Sequence, residues 1–556
     1  MMEPFERIDI QELPLSVPLF RRQVEDFLGR NGLRLEEVDL YRVIQDADGT
    51  ILAGGGLCRD TIKCIAVSES ARSLGLSVPL ISHLIAEAAS RGYPNVKVFT
   101  KPDNHTVFES LGFKLLAEAP KAILMENGRG LEDYCRYLRA HRTVGVIVMN
   151  ANPFTLGHRY LVEQASTRLG GARKAGFRKL TVIPVREDVS FFPYAARAEM
   201  IHQGCKHLAH VVEGSDYQIS AATFPTYFLK DLSDAAETQM RLDLDLFGRH
   251  IAPALGATVR FVGTEPSDPL TARYNALMKE MLPAYGVQVV EVPRLGNEDG
   301  VVSASRVRAY LAAGEFKAAS ALTPETSHPY LLTFLAVRAL RMELEATMKP
   351  GLVGPDGPGA HRDMDYGLLR RSIDALRPFF PRMAQAGSPE ELRRLGLEAE
   401  KAMLAATGGI NTHRGAIFAL GLALYRHPIE ETAAALDDGT SIRRDSAIKG
   451  AMQMARDGYR DLFEDWMPYY RTVHDQPLGL QMTLLRIMST LDDTCVLHRA
   501  GYDRAQQVKA EAKELLEHFS VENLKEMNAR YNAEGISPGG AADMLALTIF
   551  MESILN

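Results

Sequence analysis

The spacing of apolar and polar positions changes rhythm twice along the chain. Between residues 1 and 140 the segments YRVIQDADGTILAGGGL, with its Asp-Gly turn, IKCIAV and VKVFT alternate as strands do, while Val78 to Ala89 and His105 to Leu111 carry helical spacing. From 141 to 325 strand-like runs alternate with helical stretches: VGVIVM, a helix from Leu156, LTVIPV, a helix through Phe192 to Gly204, VRFVG, a helix from Leu270, and VQVVEV. Strand-then-helix repetition of this kind predicts a parallel, doubly wound sheet. From about Ser327 onward only helical periodicity remains, so an all-α region is expected. PETSHP at 324–329, two prolines around polar turn residues, marks the clearest boundary. The expectation is a multidomain chain: mixed α/β over 1–140, α/β doubly wound over 141–328, all-α over 329–556.

Length supports this division, because 556 residues exceed what one hydrophobic core of about 250–300 residues can serve. Apolar residues make up 46% and charged residues 24%, and no run approaches the roughly 18 apolar residues of a membrane span, so no membrane role is expected. The start, MMEPFERIDIQELP, has acidic residues where a secretion signal would have a basic segment and an apolar core, and a cytoplasmic location is expected. Cys58, Cys64, Cys135, Cys205 and Cys495 form no CxxC pair, which argues against a disulfide framework and a structural zinc site. Lys and Arg (63) against Asp and Glu (70) leave −7, with no long basic block, so no nucleic-acid partner is expected.

Chemistry concentrates first where VGVIVM ends in Asn150-Ala151-Asn152-Pro153 and turns into a helix near Leu156. Backbone N–H groups and a positive dipole end then meet at the carboxyl edge of a parallel sheet, where phosphates bind. Thr155-x-Gly157-His158 lets a nucleotide approach closely beside an imidazole. This pattern resembles the HxGH signature of the nucleotidylyltransferase superfamily, with threonine for the first histidine. Val302-Ser303-Ala304-Ser305-Arg306-Val307-Arg308 resembles its second half, a serine-rich helix start backed by basic residues.

Adenylyl transfer needs in-line attack on the α-phosphate while pyrophosphate leaves, with no protein nucleophile. Catalysis is then positioning and charge neutralisation, assigned here to His158, Thr155, Ser303, Ser305 and Arg308, with Mg²⁺ carried by the ATP rather than by a protein-only site. Nucleotide contacts are expected at Asn152, Pro153, Phe154, Gly157 and Arg306, and toward ribose or adenine at Glu265 and Asn275. Asp188, Ser190, Arg197 and Lys230 are further candidates that read equally as surface or strand-edge residues.

NANPFTLGHRYL, SDYQISAATFPTYFLKD (215–231), RFVGTEPSDPLTARYN (260–275) and VVSASRVR (301–308), in this order, resemble the citrate lyase ligase family over roughly residues 5–330. The resemblance implies that ATP and acetate form acetyl-AMP and that the acetyl group passes to the prosthetic-group thiol on the citrate lyase acyl carrier protein. Spacing alone does not identify acetate. In the N-terminal region Arg72-Ser73-Leu74-Gly75-Leu76-Ser77 resembles the pyrophosphate loop of GNAT acetyltransferases, with Ser at the last position, and implies a grip on a CoA-like arm at Arg72, Gly75 and Ser77. A glycine turn that merely packs strand on helix is the alternative.

The C-terminal region carries islands: Glu343 with Lys349-Pro350-Gly351, Gly359 to Asp365, Gly409 to Gly415, Asp492-Asp493-Thr494 with His498-Arg499, and Ser537 to Asp543. These resemble triphosphoribosyl-dephospho-CoA synthases over about 335–556. The resemblance implies that dephospho-CoA is joined to the ribose of ATP with loss of adenine, giving 2'-(5''-triphosphoribosyl)-3'-dephospho-CoA. The implied second site comprises Glu343, Lys349, His361, Asp363, Asp365, Asn411, His413, Arg414, Asp493, Arg499 and Asp543. The pattern departs at Met452-Gln453-Met454-Ala455 before Gly458-Tyr459, where R-G-E-A is usual. It departs again at Gly354 for aspartate, at Arg414 for lysine, and in a shortened segment between Leu422 and Ala451. A lost carboxylate weakens a polyphosphate–metal site unless Asp457 or Glu464 substitutes. Two other readings stay open: a nucleotidylyltransferase making a dinucleotide-like cofactor above an inert helical scaffold, and a non-enzymatic assembly protein.

Overall fold

The computed structural model describes residues 8–170, 173–174, 177–186, 191–219, 224–229, 234–266, 268–298, 300–436 and 451–556. The chain forms two compact units, Met1–Val302 and Ser303–Asn556.

Among the described residues the first unit begins with a seven-stranded sheet. Its spatial order is Gln11–Glu12, Leu40–Gln45, Ile51–Cys58, Thr61–Val67, Val96–Thr100, Ala122–Asn127, Lys114–Ala119. Neighbours are antiparallel except Thr61–Val67 and Val96–Thr100, which run parallel and pair only at Thr61 with Lys97 and Ile62 with Val98. Past Ile62 the register shifts against Ile51–Cys58 and Cys64 adopts φ 53, a bulge that turns the strand away from its parallel neighbour. Alternation sorts the faces: Leu40 and Ile44 pack with Leu80 and Leu84 of the helix Ser77–Ser90, while Tyr41 and Val43 face the other way.

That second face belongs to one apolar cluster that continues through Leu131 and Leu138 of the helix Gly130–Arg139 into Leu242, Phe247 and Leu282. The first sheet and the next one therefore share a core. The next sheet is fully parallel, in the order His210–Val211, Leu180–Pro184, Gly145–Met149, Val259–Gly263, Gln288–Val292. Numbered along the chain this is 3-2-1-4-5, the doubly wound arrangement that the strand–helix rhythm predicts. The order reverses between Gly145–Met149 and Val259–Gly263, so the loops after these two strands border the crevice where open parallel sheets bind ligands.

Two features escaped the periodicity. The pair Lys114–Ala119 and Ala122–Asn127 hides in a run of Leu and Ala, which reads as helix as readily as strand. His210–Val211 is too short to leave a pattern.

Among its described residues the second unit is helical, with one isolated bridge between Gly354 and Gly357. Gly539–Leu555 is apolar on nearly every face and therefore lies inside, packed on His328–Glu345 and Arg414–Tyr425. Side-chain caps start several of the surrounding helices: Asp365 accepts from Leu368 N at 2.6 Å, Ser388 from Glu391 N at 3.2 Å and Ser520 from Asn523 N at 3.1 Å. Among the described residues no helix is long and apolar enough to cross a membrane.

Candidate functional site

In the loop after Gly145–Met149, Ala151 lies at φ 45, in the left-handed region that non-glycine residues seldom adopt, and the Asn152–Pro153 peptide is cis. Arg197, fully buried, holds this turn in place: its guanidinium donates to the Asn150 carbonyl at 2.9 Å, to Asn150 Oδ1 at 2.7 Å, to the Val185 carbonyl at 2.9 Å and to the Phe192 carbonyl at 3.1 Å. Asn152 Oδ1 accepts from Phe192 N at 3.0 Å. By this geometry Arg197 is a positioning residue for the loop.

The helix Leu156–Arg168 then opens with a reciprocal cap. Thr155 Oγ1 accepts from His158 N at 3.3 Å, and Thr155 N donates to His158 Nδ1 at 3.1 Å. Glu or Gln usually returns such a bond; here an imidazole does. Because Nδ1 accepts from a backbone N–H, the ring proton sits on Nε2, which leaves Nε2–H as a donor. Phe154, wholly buried, stacks on the imidazole with centroids 5.7 Å apart at 24°. It supports the histidine from the core side. Phe154 is itself fitted against Gly204, where a Cβ would strike the ring at 2.3 Å. Burial first, and then the charge of Arg294, lower the His158 pKa to about 4. The imidazole is thus neutral at physiological pH. Gly157 has a structural reason as well: an added Cβ would come 3.0 Å from the carbonyl of Val302, the residue before Ser303 in the chain.

Across the switch point, at the ends of Val259–Gly263 and Gln288–Val292, Arg294 pairs with Glu265 and donates from Nε to the Thr264 carbonyl at 2.7 Å. Glu265 also accepts from Asp268 N at 3.1 Å. Asn275 is buried, and its amide donates to the Gly263 carbonyl at 2.9 Å. In the sequence Arg294 has little signal: it is a basic residue two positions beyond the last strand of the sheet, in VPRLG.

In the second unit Ser303 caps the helix Ala304–Ala313, accepting from Arg306 N at 3.3 Å with Ser305 Oγ 3.0 Å away. Arg306 reaches the Tyr310 hydroxyl at 3.3 Å, and burial lowers the pKa of Arg308. Asp188, Ser190 and Lys230 lie outside the described residues.

In the N-terminal sheet Arg72 is exposed, 3.8 Å from Glu69, and Gly75 turns at φ 66 with open space where a Cβ would stand. Ser77 starts its helix with no side-chain cap before it. The gap between the two parting parallel strands is occupied by side chains from residues 224–229. Tyr227 is buried there, with its hydroxyl on the Phe99 carbonyl at 3.3 Å and on the Cys64 backbone, and Phe224 meets Phe99 edge to face at 5.6 Å. Tyr217 donates to the buried Glu126, and Glu36 accepts from Thr226 N at 2.7 Å. Tyr217, Phe224, Thr226 and Tyr227 thus tie the two sheets of the first unit together.

A second polar cluster lies in the helical unit. Lys349, 2% exposed, donates to the Glu343 carboxylate and to its carbonyl. His413 Nδ1 is 2.7 Å from Ser372 Oγ, and burial followed by the Lys349 charge lowers its pKa to about 4. Asp543 presses over Gly415, where a Cβ would fall 2.0 Å from its Oδ2, and it accepts from the Ala416 N–H. Burial, then Glu343 and Asp493, push the Asp543 pKa well up. Asp493 accepts from Cys495 N and Ala541 N, both at 2.8 Å, and burial raises its pKa too.

Glu343, Lys349, His413, Asp493 and Asp543 are therefore brought together from four separate islands. His361 joins two others, with Nε2 2.8 Å from Ser537 Oγ, Nδ1 3.2 Å from Arg499 and 3.8 Å from Asp363. Three expected site residues act locally instead: Asp365 caps its helix, Asn411 accepts from Arg414 N at 3.2 Å, and Arg414 pairs with Glu400. At the divergent stretch Gln453 is exposed and donates to Asp457 at 2.8 Å, while Glu464 pairs with Arg460 at 3.4 Å on the surface. Among the described residues no group of three or more His, Cys, Asp or Glu is arranged to hold a metal.

Comparison with known proteins finds two families whose matches meet near residue 330. The family model for the citrate lyase ligase C-terminal domain matches residues 144–331. That for ATP:dephospho-CoA triphosphoribosyl transferase matches 330–437 and 425–556, two pieces that overlap within the shortened segment. Citrate (pro-3S)-lyase ligase of Haemophilus influenzae is 40% identical over 341 residues, covering 59% of this chain and 98% of its own. A protein of Stutzerimonas stutzeri named "Probable 2-(5''-triphosphoribosyl)-3'-dephosphocoenzyme-A synthase" is 36% identical over 264 residues, covering 40% of this chain and 91% of its own. The crystal structure of Thermotoga maritima TmcAL bound with alpha-thio ATP aligns with 52% of this chain and 78% of its own at 13% identity, with a TM-score of 0.22, too weak a likeness to assign a fold.

Proposed function

The chain belongs to the citrate lyase ligase family in its first part and to the ATP:dephospho-CoA triphosphoribosyl transferase family in its second, and from that premise we propose one bifunctional enzyme that activates citrate lyase. In this reading residues 1–140 are a GNAT-like domain, 141–328 an HxGH-type nucleotidylyltransferase domain and 329–556 a synthase domain, working in the cytoplasm.

The ligase half forms acetyl-AMP from ATP and acetate and passes the acetyl group to the prosthetic-group thiol of the citrate lyase acyl carrier protein. The observation that carries this reading is the Thr155–His158 cap at the switch point of the sheet. It presents a neutral imidazole whose Nε2–H is a ready donor toward a phosphate oxygen, beside a helix N-terminus. Arg294, paired with Glu265, borders the imidazole, and Gly157 leaves room against the Val302 carbonyl. Ser303, Ser305, Arg306 and Arg308 complete the sequence signature, and their role rests on it. Mg²⁺ carried with ATP would supply charge neutralisation for the pyrophosphate leaving group.

The synthase half transfers the triphosphoribosyl group of ATP to dephospho-CoA and releases adenine. The convergence of Glu343, Lys349, His413, Asp493 and Asp543 supports a working site there. Both activities would serve one prosthetic group. The test is product analysis with ATP, acetate and the deacetylated carrier protein. Free AMP and an acetyl-thioester on the carrier are expected. AMP retained in a dinucleotide product would instead assign a cofactor-making nucleotidylyltransferase.

A further inference from the structure

Arg499, His361 and Ser537 come from three separate islands and form one string of hydrogen bonds that runs from the surface of the second unit inward. Arg499 is exposed, and its Nη2 lies 3.2 Å from His361 Nδ1; His361 Nε2 lies 2.8 Å from Oγ of Ser537, which is 2% exposed. The arginine fixes the direction of both bonds. A guanidinium has donors and no acceptor, so Nδ1 offers its lone pair and the ring proton belongs on Nε2. Nε2–H then donates to Ser537 Oγ. Burial, followed by the Arg499 charge, lowers the His361 pKa, in keeping with a neutral ring. An imidazole in this state cannot take a proton from Ser537, so the two are not a nucleophile and its base.

The backbone around the string is closely built. Ala360 N, next to His361, donates to the Gly351 carbonyl at 3.0 Å, and a Cβ on Gly351 would fall 1.8 Å from the carbonyl of Ile536, next to Ser537. Only glycine fits there, at φ 75. Asp493 fixes the third member: it caps the helix Thr494–Ala500, which carries Arg499, and accepts from Ala541 N at 2.8 Å in the helix that follows Ser537. The imidazole is thereby clamped between its two partners.

Arg499 keeps donors beyond the bond to His361, and among the described residues it forms no ion pair. Asp363, on the same edge of the ring, stands 3.8 Å from Nδ1 with an exposed side chain and does not pair with Arg499. An exposed guanidinium held in one orientation with donors unused suits polyphosphate oxygens, whose geometry matches its fork.

We propose that His361 and Ser537 are positioning residues that hold the Arg499 guanidinium for polyphosphate oxygens of a substrate of the second unit. Ser537 anchors the imidazole, and the imidazole orients the arginine. The proposal rests on reading the second unit as a triphosphoribosyl transferase. ATP carries a triphosphate and dephospho-CoA a pyrophosphate, and the experiment tells them apart.

The test is a double-mutant cycle on the full chain, reading adenine release with each substrate varied in turn. Arg499→Ala should raise KM for one substrate by about 10–100-fold, the scale of a lost charge-assisted contact, and leave the other within about two-fold. The affected substrate is the one whose phosphates Arg499 meets. Ser537→Ala should raise the same KM by about three- to ten-fold with kcat within about two-fold. In the Arg499→Ala background Ser537→Ala should add nothing, because the anchor acts only through the guanidinium. A serine with a merely structural role would give an effect that adds in full. Unchanged KM values in either single variant, a rise in both KM values alike, or a Ser537→Ala effect undiminished without Arg499 would overturn the proposal. If Ser537→Ala does not fold, the same cycle with His361→Gln decides by the same criteria. If the wild type releases no adenine, the transferase reading fails on its own. The cycle is then read in equilibrium binding of inorganic triphosphate and of dephospho-CoA to the full chain carrying His158→Ala, and equal affinities across the variants would overturn the positioning roles.

Discussion

The two polar clusters are built by opposite routes. In the first unit the decisive bonds join residues three apart, Thr155 and His158, at the end of one strand. In the second unit a comparable density of buried polar groups is drawn from islands between Glu343 and Asp543, set by the packing of Gly539–Leu555 against Arg414–Tyr425 and His328–Glu345. A local cap survives wherever its strand and helix survive. A cluster assembled at long range depends on every helix that contributes to it. The first site should therefore tolerate remote change better than the second.

The widest separation comes from exchanging one group in each cluster. His158→Ala should lower acetate-dependent adenylylation by about 10²–10³-fold, the scale of losing one donor to a transition-state oxyanion, and leave adenine release intact. Asp543→Asn should do the reverse, by about 10²-fold on adenine release. Initial rates of both activities on each variant check this, and a variant that abolishes both would break the comparison.

A smaller effect tests the local cap. Thr155→Val should cost about 1 kcal/mol of stability in denaturant unfolding and about ten-fold in adenylylation rate, since the cap and the hydroxyl beside the imidazole are lost together. Gly415→Ala, by contrast, should displace the Asp543 carboxylate and reduce only adenine release.

Acidity separates the units next. His158 and His413, each held near 4, are neutral when folded and take up a proton on unfolding below the ordinary value of 6.5. Their contribution to stability is full above about 6.5 and is lost as pH falls toward about 4. Asp493 and Asp543, raised, act with the opposite sign: they favour the fold while protonated, and that contribution is lost as pH rises through their folded pKa. Melting of the first unit should thus fall steadily from pH 7 to pH 5, and His158→Gln should flatten that slope. The second unit should show a shallower profile, because its buried histidine and its carboxylates offset one another.

The smallest effect is expected at the N-terminal loop. Arg72→Ala removes an exposed side chain whose ion pair with Glu69 is long, so stability should change by less than about 0.5 kcal/mol. A several-fold rise in KM for the carrier protein would mark a grip on its CoA-like arm.

What was legible in the sequence follows the same division. Strand–loop–helix punctuation places the central sheet and the Thr155–His158 cap, because those interactions are local. Arg294 was invisible because one arginine after a strand carries no periodic signal, and its importance comes from Glu265, 29 residues away. Phe154 and Asn275 sit in a nucleotide-like stretch, yet their environments are core ones, with Phe154 under the imidazole and Asn275 on a strand-end carbonyl. In the helical unit the islands could be recognised but not sorted. Only packing separates Asp543, inside the cluster, from Asp365, a helix cap. The joint between the two sheets of the first unit was equally hidden, because Tyr227 and Phe224 read as part of a family segment rather than as a filling for a gap between strands.

The central claim is that the Thr155–His158 loop activates a carboxylate as its adenylate, and acetate-dependent exchange of labelled pyrophosphate into ATP tests it without the carrier protein. The full chain should exchange label only when acetate is present, and His158→Ala should reduce that exchange at least about a hundred-fold. Exchange that ignores acetate, or that persists unchanged in His158→Ala, would contradict it.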